Sequence, residues 1–217
     1  MEGERRVVTM LFCDVKGSTA MAERLDPEEW AEIMNGAFEH LIAPIYRYEG
    51  TLARLMGDAI FAFFGAPIAH EDDPQRAVSA GLDIIDGIQA YRERQRADRG
   101  LDLNVRVGIN TGPVVVGQVG SDLRLEYTAM GDAVNVAARM EQTAEPGTVQ
   151  ITAETYRRIA SSFDAESRGG VEVKGKTEPV LAYRVVARKQ QSATLLRTPA
   201  APLVGREGEM QVLTRAI

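Results

Sequence analysis

The chain has 217 residues and a formal net charge of −6, with 25 Lys and Arg against 31 Asp and Glu. This mildly acidic balance argues against a nucleic-acid partner and against a polybasic membrane-binding surface. Hydrophobic residues make up 45% of the chain, which is typical of a globular domain with a sizeable core. No stretch approaches the roughly 20 apolar residues that a membrane span requires.

The N-terminal residues and the single cysteine bear on the compartment. Cys13 has no second cysteine to pair with and lies in an apolar, strand-like run. We therefore interpret it as a small core residue in a reduced compartment. The apolar run near the start is too short and too soon charged for a signal peptide. A cytoplasmic location is the expectation.

Helix starts in this chain are marked by an acidic residue followed by proline. Asp26 and Pro27 form one such start, and Glu29 predicts a capping box with Asp26. Asp73 and Pro74 begin a second helix in the same way. The predicted strands are residues 7–12, 51–55, 60–64, 103–109, 113–119 and 124–128, and the predicted helices are 27–48, one from 73 onward, 132–141 and 153–159.

This order of elements predicts an α+β fold, with a mostly antiparallel sheet and helices on one face. Residues 1–187 are predicted to form one domain. From residue 188 to 202 the composition becomes polar, with the Gln, Ser, Thr and Pro residues typical of a linker. Residues 203–217 look like the truncated start of a following domain.

Asp14 and Asp58 are the first candidates for chemistry. Asp14 follows an apolar strand, and Asp58 lies at the tip of a hairpin that can pack beside that strand. Two neighbouring carboxylates repel each other unless a hard cation lies between them, and Mg²⁺ favours few carboxylates plus substrate phosphates. The pair therefore predicts a metal site, and two ions there would clamp the attacking and leaving oxygens. Two unrelated turn aspartates are the alternative, because aspartate is common in turns.

The turn that follows Asp14 is a candidate phosphate site. Gly17, Ser18 and Thr19 lead from the strand into a helix. Backbone N–H groups exposed at such a turn favour bound phosphate. These three residues are therefore predicted to contact a substrate.

Asn135 and Arg139 lie four residues apart on the predicted helix at 132–141, so they share one face. A planar guanidinium beside an amide suits a charged phosphoryl transition state and a ribose oxygen. An exposed polar helix face is the alternative. Lys174 and Lys176 flank a glycine in a strand-like stretch, where a lysine can either reach a terminal phosphate or stand in an ordinary exposed turn.

Taken together, these segments resemble the catalytic domain of class III nucleotide cyclases, which make cyclic AMP or cyclic GMP. The match runs in order over about residues 5–187 and rests on motifs at 11–19, 56–58, 106–112, 131–139 and 173–176. The segments at 64–72 and 204–207 resemble bacterial members in which a large ATPase-like regulatory region follows the cyclase. The resemblance implies a ferredoxin-like, palm-type βαββαβ core with extra C-terminal strands.

The resemblance also implies a role for each site residue. Asp14, Asp58 and the backbone of Val15 would bind two Mg²⁺ or Mn²⁺ ions. Asn135 would orient the ribose of ATP, and Arg139 would stabilise the pentavalent phosphorus while the 3′-hydroxyl attacks the α-phosphate.

In this family the active site is composite. One protomer supplies the metal-binding carboxylates, and the other supplies the base-reading residues together with the Asn that orients the ribose and the Arg that stabilises the phosphorus. A chain that carries both sets should therefore form a symmetric homodimer with two sites. Lys176 would touch the terminal phosphate.

Two positions depart from the adenylyl-type pattern. Arg54 stands where these enzymes usually have Lys, and Thr128 stands where they usually have Asp, a substitution seen in some members. Arg54 could donate to adenine N1 and Thr128 could accept from the amino group. Arginine is longer, forked and always charged, so it is not an equivalent donor, and a base pocket that misses hydrogen bonds discriminates poorly.

The sequence thus predicts an adenylyl cyclase that converts ATP to cyclic AMP and pyrophosphate. A regulatory nucleotide-binding module with weak or lapsed catalysis is the alternative, motivated by Arg54. A diguanylate cyclase or another palm-type polymerising enzyme would also bind its metal ions through carboxylates. Residues 56–60, however, do not contain the hairpin motif expected of such an enzyme.

Overall fold

The computed structural model describes residues 3–121 and 124–189. The strands are β1 Glu4–Val15, β2 Thr51–Met56, β3 Ala59–Phe64, β4 Val105–Ser121, β5 Arg124–Met130, β6 Val149–Thr152, β7 Phe163–Val171 and β8 Val180–Arg188. The helices are α1 Ser18–Ala22, α2 Pro27–Arg47, α3 Asp73–Gly87, α4 Gln89–Arg99, α5 Asp132–Thr143 and α6 Ala153–Ile159. No helix in the described ranges is long and apolar enough to cross a membrane.

The eight strands form one sheet in the order β2-β3-β1-β4-β6-β8-β7, with β5 paired to β4 beside this path. Neighbouring strands are antiparallel except β4 and β6, which are parallel. The predicted α+β class with a mostly antiparallel sheet is therefore confirmed. β1 lies at the centre between β3 and β4, which places its C-terminal Asp14 beside the turn that joins β2 and β3.

Alternate residues of β1 serve two cores. Leu11, Cys13 and Val15 belong to the main cluster, which is covered by α2, α3 and α6. Met10 and Phe12 belong to a smaller cluster, to which α5 contributes two alanines. Cys13 is fully buried, so its interpretation as a small core residue is confirmed.

Three local predictions were wrong. β4 is continuous where two strands were predicted, because Pro113 lies where β4 has a strand on one side only, a position that tolerates proline. The second helix is two helices, α3 and α4, which meet at Ile88. The capping box is absent, since the Asp26 side chain makes no hydrogen bond to the start of α2.

Gly108 lets α5 lie directly on β4. A Cβ atom at this position would stand 1.9 Å from the backbone nitrogen of Glu141 and 2.4 Å from its Cα. Because both contacts are backbone atoms, a rotamer change cannot relieve them. This glycine therefore fixes the distance between β4 and α5, the helix that carries Asn135 and Arg139.

Gly108→Ala is expected to lower the free energy of unfolding by about 1–3 kcal/mol or more, the usual cost of overpacking. Urea denaturation measures the change. Gly87→Ala on α3 is the matched control, since nothing lies within 4 Å of its added Cβ. Equal stability of Gly108→Ala and the wild type would contradict this packing.

The end of β8 is tied to the helical layer by a charged cluster around Asp83. Its carboxylate accepts hydrogen bonds from Arg188 at 2.7 Å, Arg47 at 3.0 Å and the Tyr48 hydroxyl at 3.1 Å. Burial opposes ionisation of Asp83, but these donors outweigh it and hold its pKa below the usual 3.8. Of the predicted linker 188–202, residues 190–202 lie outside the described residues, as does the segment 203–217.

Asp83→Asn is expected to destabilise the domain by about 1.5–3 kcal/mol at pH 7, the value of a hydrogen bond to a charged group. Because the folded-state pKa is lowered, the ionised form contributes stability above pH 3.8 that is lost as the pH falls through the folded-state value. The difference between variant and wild type should therefore shrink at acidic pH. Urea unfolding at pH 7 and near pH 3 measures this, with Asp98→Asn as an exposed control. A difference that does not depend on pH would contradict it.

Candidate active site

The end of β1 and the β2–β3 turn bring Asp14 and Asp58 together. In the antiparallel pairing of β1 with β3, Asp14 lies opposite Ala59, the residue after Asp58. Gly57 permits the tight turn because its φ of 67° lies in the left-handed region. The side chain of Val15 is buried in the core, so its backbone alone can face a ligand there. The predicted proximity of the two aspartates is therefore seen.

The electrostatics of Asp14 reflect a crowded carboxylate. Burial, and then a hydrogen bond shared with Asp58, raise its pKa to about 6, while Arg106 acts in the opposite direction. Two carboxyl groups that lie close together without a cation between them raise the pKa of one of them in this manner. In the described ranges, no group of three or more His, Cys, Asp or Glu side chains is arranged to hold a metal ion. Two carboxylates suit Mg²⁺ when substrate phosphates supply further ligands.

Arg106 and Glu141 are functional candidates that the sequence analysis missed. Arg106 Nη2 lies 2.9 Å from Asp14 Oδ2, and its Nε lies 2.7 Å from Glu141 Oε1. Burial of Glu141 raises its pKa to about 7, with Arg106 opposing the shift and Asp14 adding to it. The signal in the sequence was the position of Arg106 in a half-buried strand, where a charged side chain requires a partner.

A groove of about 490 Å³ opens beside the metal candidates. It is lined by Ser18, Thr19, Trp30, Phe38, Gly57 and Asp58, among others. Gly17 is the N-cap of α1, so the predicted phosphate turn lies at the edge of this groove. The structure therefore places the turn and Asp58 at one cavity.

A separate groove of about 610 Å³ lies along α5. Asn135, Arg139, Lys174 and Glu172 are among its lining residues. Arg139 donates through Nε to the Glu172 carbonyl at 2.9 Å and through Nη1 to the Gln142 side chain at 3.3 Å. These bonds hold the guanidinium at the groove wall. The predicted shared face of Asn135 and Arg139 is therefore seen.

Lys174 lines the α5 groove and Lys176 does not, although both lysines line a smaller cavity of about 270 Å³ next to it. Lys176 Nζ lies 2.5 Å from Asp132 Oδ2, and Lys176 lines a different cavity of about 310 Å³ next to Thr152. A phosphate contact of Lys176 stays a prediction. On geometry, Lys174 is the better candidate beside Asn135 and Arg139.

The proposed base readers lie on strands that contact each other. Arg54 is on β2 opposite Phe61, and Thr128 is on β5 opposite Gly117. β2 and β5 are in contact, and the residues next to the two readers, Ala53 and Ala129, pack in the same core cluster. Arg54 is exposed, and Thr128 is buried.

The two halves of the site do not meet in one described cavity of the single chain. The groove with Asp58 and the groove with Arg139 have no lining residue in common.

The sequence pattern of the adenylate and guanylate cyclase catalytic domain family matches this chain over residues 2–187. This chain belongs to that family.

The relatives include both nucleotide specificities. Adenylate cyclase 1 of Rhizobium meliloti is 32% identical over 184 residues, which cover 84% of this chain and 28% of that protein. The crystal structure of the adenylyl cyclase CyaB from P. aeruginosa matches with a TM-score of 0.84 at 33% identity, covering 88% of this cyclase domain and 98% of that chain. The guanylyl cyclase Cya2 also matches with a TM-score of 0.84, at 32% identity, covering 89% and 98%. The domain thus spans under a third of the full-length Rhizobium relative.

Proposed function

We propose that this cyclase domain is an adenylyl cyclase that converts ATP to cyclic AMP and pyrophosphate at sites shared by two copies of the chain. The observation that supports this most is the division of one chain into an Asp14–Asp58 site and a separate Asn135–Arg139 groove. Two copies related by a two-fold axis would bring each half opposite its complement.

The residues at the end of β1 fit a divalent metal. Asp14 and Asp58 supply oxygen ligands at one point, and the pKa of Asp14 is raised to about 6 by its burial and by Asp58. Together with the Val15 backbone they would hold Mg²⁺ or Mn²⁺, two ions in each site. Such ions would supply charge neutralisation at the reacting oxygens.

The α5 groove would hold the reacting part of the nucleotide. Asn135 would fix the ribose, and Arg139, already held by the Glu172 carbonyl, would face the charge that develops on the phosphorus. The 3′-hydroxyl attacks the α-phosphorus and loses its proton, and pyrophosphate departs. Gly17, Ser18 and Thr19 on one chain and Lys174 or Lys176 on the other would contact the phosphates.

Adenine is the proposed base, with Arg54 and Thr128 as its readers. This chain is similar to adenylate cyclases and also to guanylyl cyclases. The choice between adenine and guanine therefore rests on the side chains of Arg54 and Thr128. A forked donor and a hydroxyl can satisfy adenine N1 and its amino group.

In the full-length protein we place this domain in the cytoplasm, ahead of a C-terminal regulatory region. The second candidate function is a regulatory nucleotide-binding module with little or no turnover. Arg54 favours it, because an arginine at the base pocket is a poor substitute for the usual lysine.

The test is a product assay on the purified chain with Mn²⁺, offering ATP and GTP side by side. Cyclic AMP is the expected product, and Asp58→Ala should remove it. If ATP yields no product, or if Asp58→Ala is as active as the wild type, the cyclase proposal fails. Calorimetric ATP binding without turnover would favour the regulatory module, and faster turnover of GTP would reassign the base.

A further inference from the structure

Arg106 stands between the metal candidate Asp14 and helix α5. Its Nη2 donates to Asp14 Oδ2 at 2.9 Å, and its Nη1 donates to the Gln142 carbonyl at 2.7 Å. Its Nε lies 2.7 Å from Glu141 Oε1. One guanidinium thus joins two carboxylates that belong to different elements.

The two carboxylates are not equivalent partners. Asp14 receives a well-formed hydrogen bond, whereas Arg106 Nε and Glu141 Oε1 are both buried and do not form an aligned hydrogen bond despite their 2.7 Å separation. Glu141 is among the few buried charged residues of the domain. A buried acid with an imperfect partner is costly to stability, so its position calls for a role other than packing.

A divalent cation on Asp14 would compete with Arg106 for the same carboxylate oxygens. Arg106 can release Asp14 at low cost only if another anion continues to balance its charge. In the part of the chain that the structure describes, Glu141 is the other carboxylate within reach of the same guanidinium, and α5 holds it at a distance fixed by Gly108.

We infer that Glu141 is a positioning residue that retains Arg106 and thereby sets the affinity of Asp14 for a divalent cation. The inference rests on the proposed function only in taking Asp14 as a metal ligand. Without the charge of Glu141, Arg106 retains Asp14 as its one carboxylate partner among the described residues and competes more strongly with the cation.

The first test measures Mn²⁺ binding without turnover. The purified chain is titrated with Mn²⁺ alone, and the free ion is followed by electron paramagnetic resonance. Glu141→Gln, which keeps the size of the side chain, is expected to weaken binding roughly tenfold, the effect of one charge-assisted contact. Glu145→Gln is the matched control, because Glu145 pairs with Arg168 and Arg184 instead, and its Mn²⁺ affinity should equal that of the wild type.

A double-mutant cycle separates positioning from a simple loss of negative charge. Arg106→Gln removes the competitor and is expected to tighten Mn²⁺ binding, and Glu141→Gln added to it should have no further effect. Thermal unfolding checks that each variant is folded. If Arg106→Gln does not fold, Arg106→Lys replaces it, because an ammonium group cannot span both carboxylates, and Glu141→Gln should then weaken binding less than in the wild type.

Three results overturn the inference. The first is a Glu141→Gln variant that binds Mn²⁺ as tightly as the wild type. The second is a wild type whose Mn²⁺ binding does not depend on Asp14, and the third is an equal weakening by Glu141→Gln with and without Arg106. Because no measurement involves a nucleotide, a chain that makes no cyclic AMP but follows the expected binding pattern would contradict the cyclase proposal alone.

Discussion

Arg139→Ala is expected to lower kcat with ATP by roughly 10³-fold or more, since an arginine facing a phosphoryl transition state contributes about 10³–10⁵ in rate. KM for ATP should change little, because the interaction strengthens as charge develops on the phosphorus and not on substrate binding. Steady-state formation of cyclic AMP with saturating Mn²⁺ measures both constants.

The control for this variant is Arg157→Ala. Arg157 is an exposed arginine on α6 whose partner is Glu154 on the same helix, so its loss should leave kcat unchanged. Arg139→Lys separates charge from geometry, because lysine cannot supply the planar fork and should recover only a small part of the rate. If Arg139→Ala lost less than about tenfold in kcat, the transition-state role of Arg139 would be wrong.

Local signals in the sequence were sufficient for most elements. Proline in the first turn marks the starts of α2 and α3, and the predicted helix at 153–159 coincides with α6. Strands with one buried face were predictable from alternating apolar residues, and β1 and β3, which are buried on both faces, from continuous apolar runs. The break predicted at Pro113 was wrong, since whether a proline ends a strand depends on the neighbouring strands that the tertiary structure provides.

The site was predictable where one short motif contains the relevant residues. Asn135 and Arg139 share a helix face, and Asp58 lies in the turn before β3, so their local positions followed from spacing, whereas their proposed roles came from the resemblance to the cyclase family. The contact of Arg106 with Asp14 joins residues 92 positions apart, and no local pattern encodes such a pair.

The choice between Lys174 and Lys176 shows the same limit. The two lysines are equivalent in sequence, one on each side of a glycine with a φ of 88°. The turn at Gly175 sends one toward the α5 groove and the other toward Asp132. Spacing does not separate them; the resemblance favours Lys176, and the conformation of the chain places Lys174 nearer Arg139.

Mixing Asp58→Ala with Arg139→Ala is expected to restore activity that neither variant has alone. If each site takes its carboxylates from one chain and its arginine from the other, a mixed dimer contains one site with both defects and one with neither. Random exchange makes half of the dimers mixed, so the mixture should reach about a quarter of the wild-type rate for a two-fold symmetric dimer.

An intact site can form only when the two mixed variants carry their changes in different halves of the site. Mixing Asp58→Ala with Asp14→Ala is the matched control, because both changes fall on the same half and no mixed dimer has an intact site. Activity in that control, or none in the first mixture once chain exchange has been verified, would contradict the shared site. A single chain would then have to bring Asp58 and Arg139 together, which requires its two grooves to close into one. The close approach of the Glu141 backbone to Gly108 opposes such a movement, because it packs α5 tightly on β4.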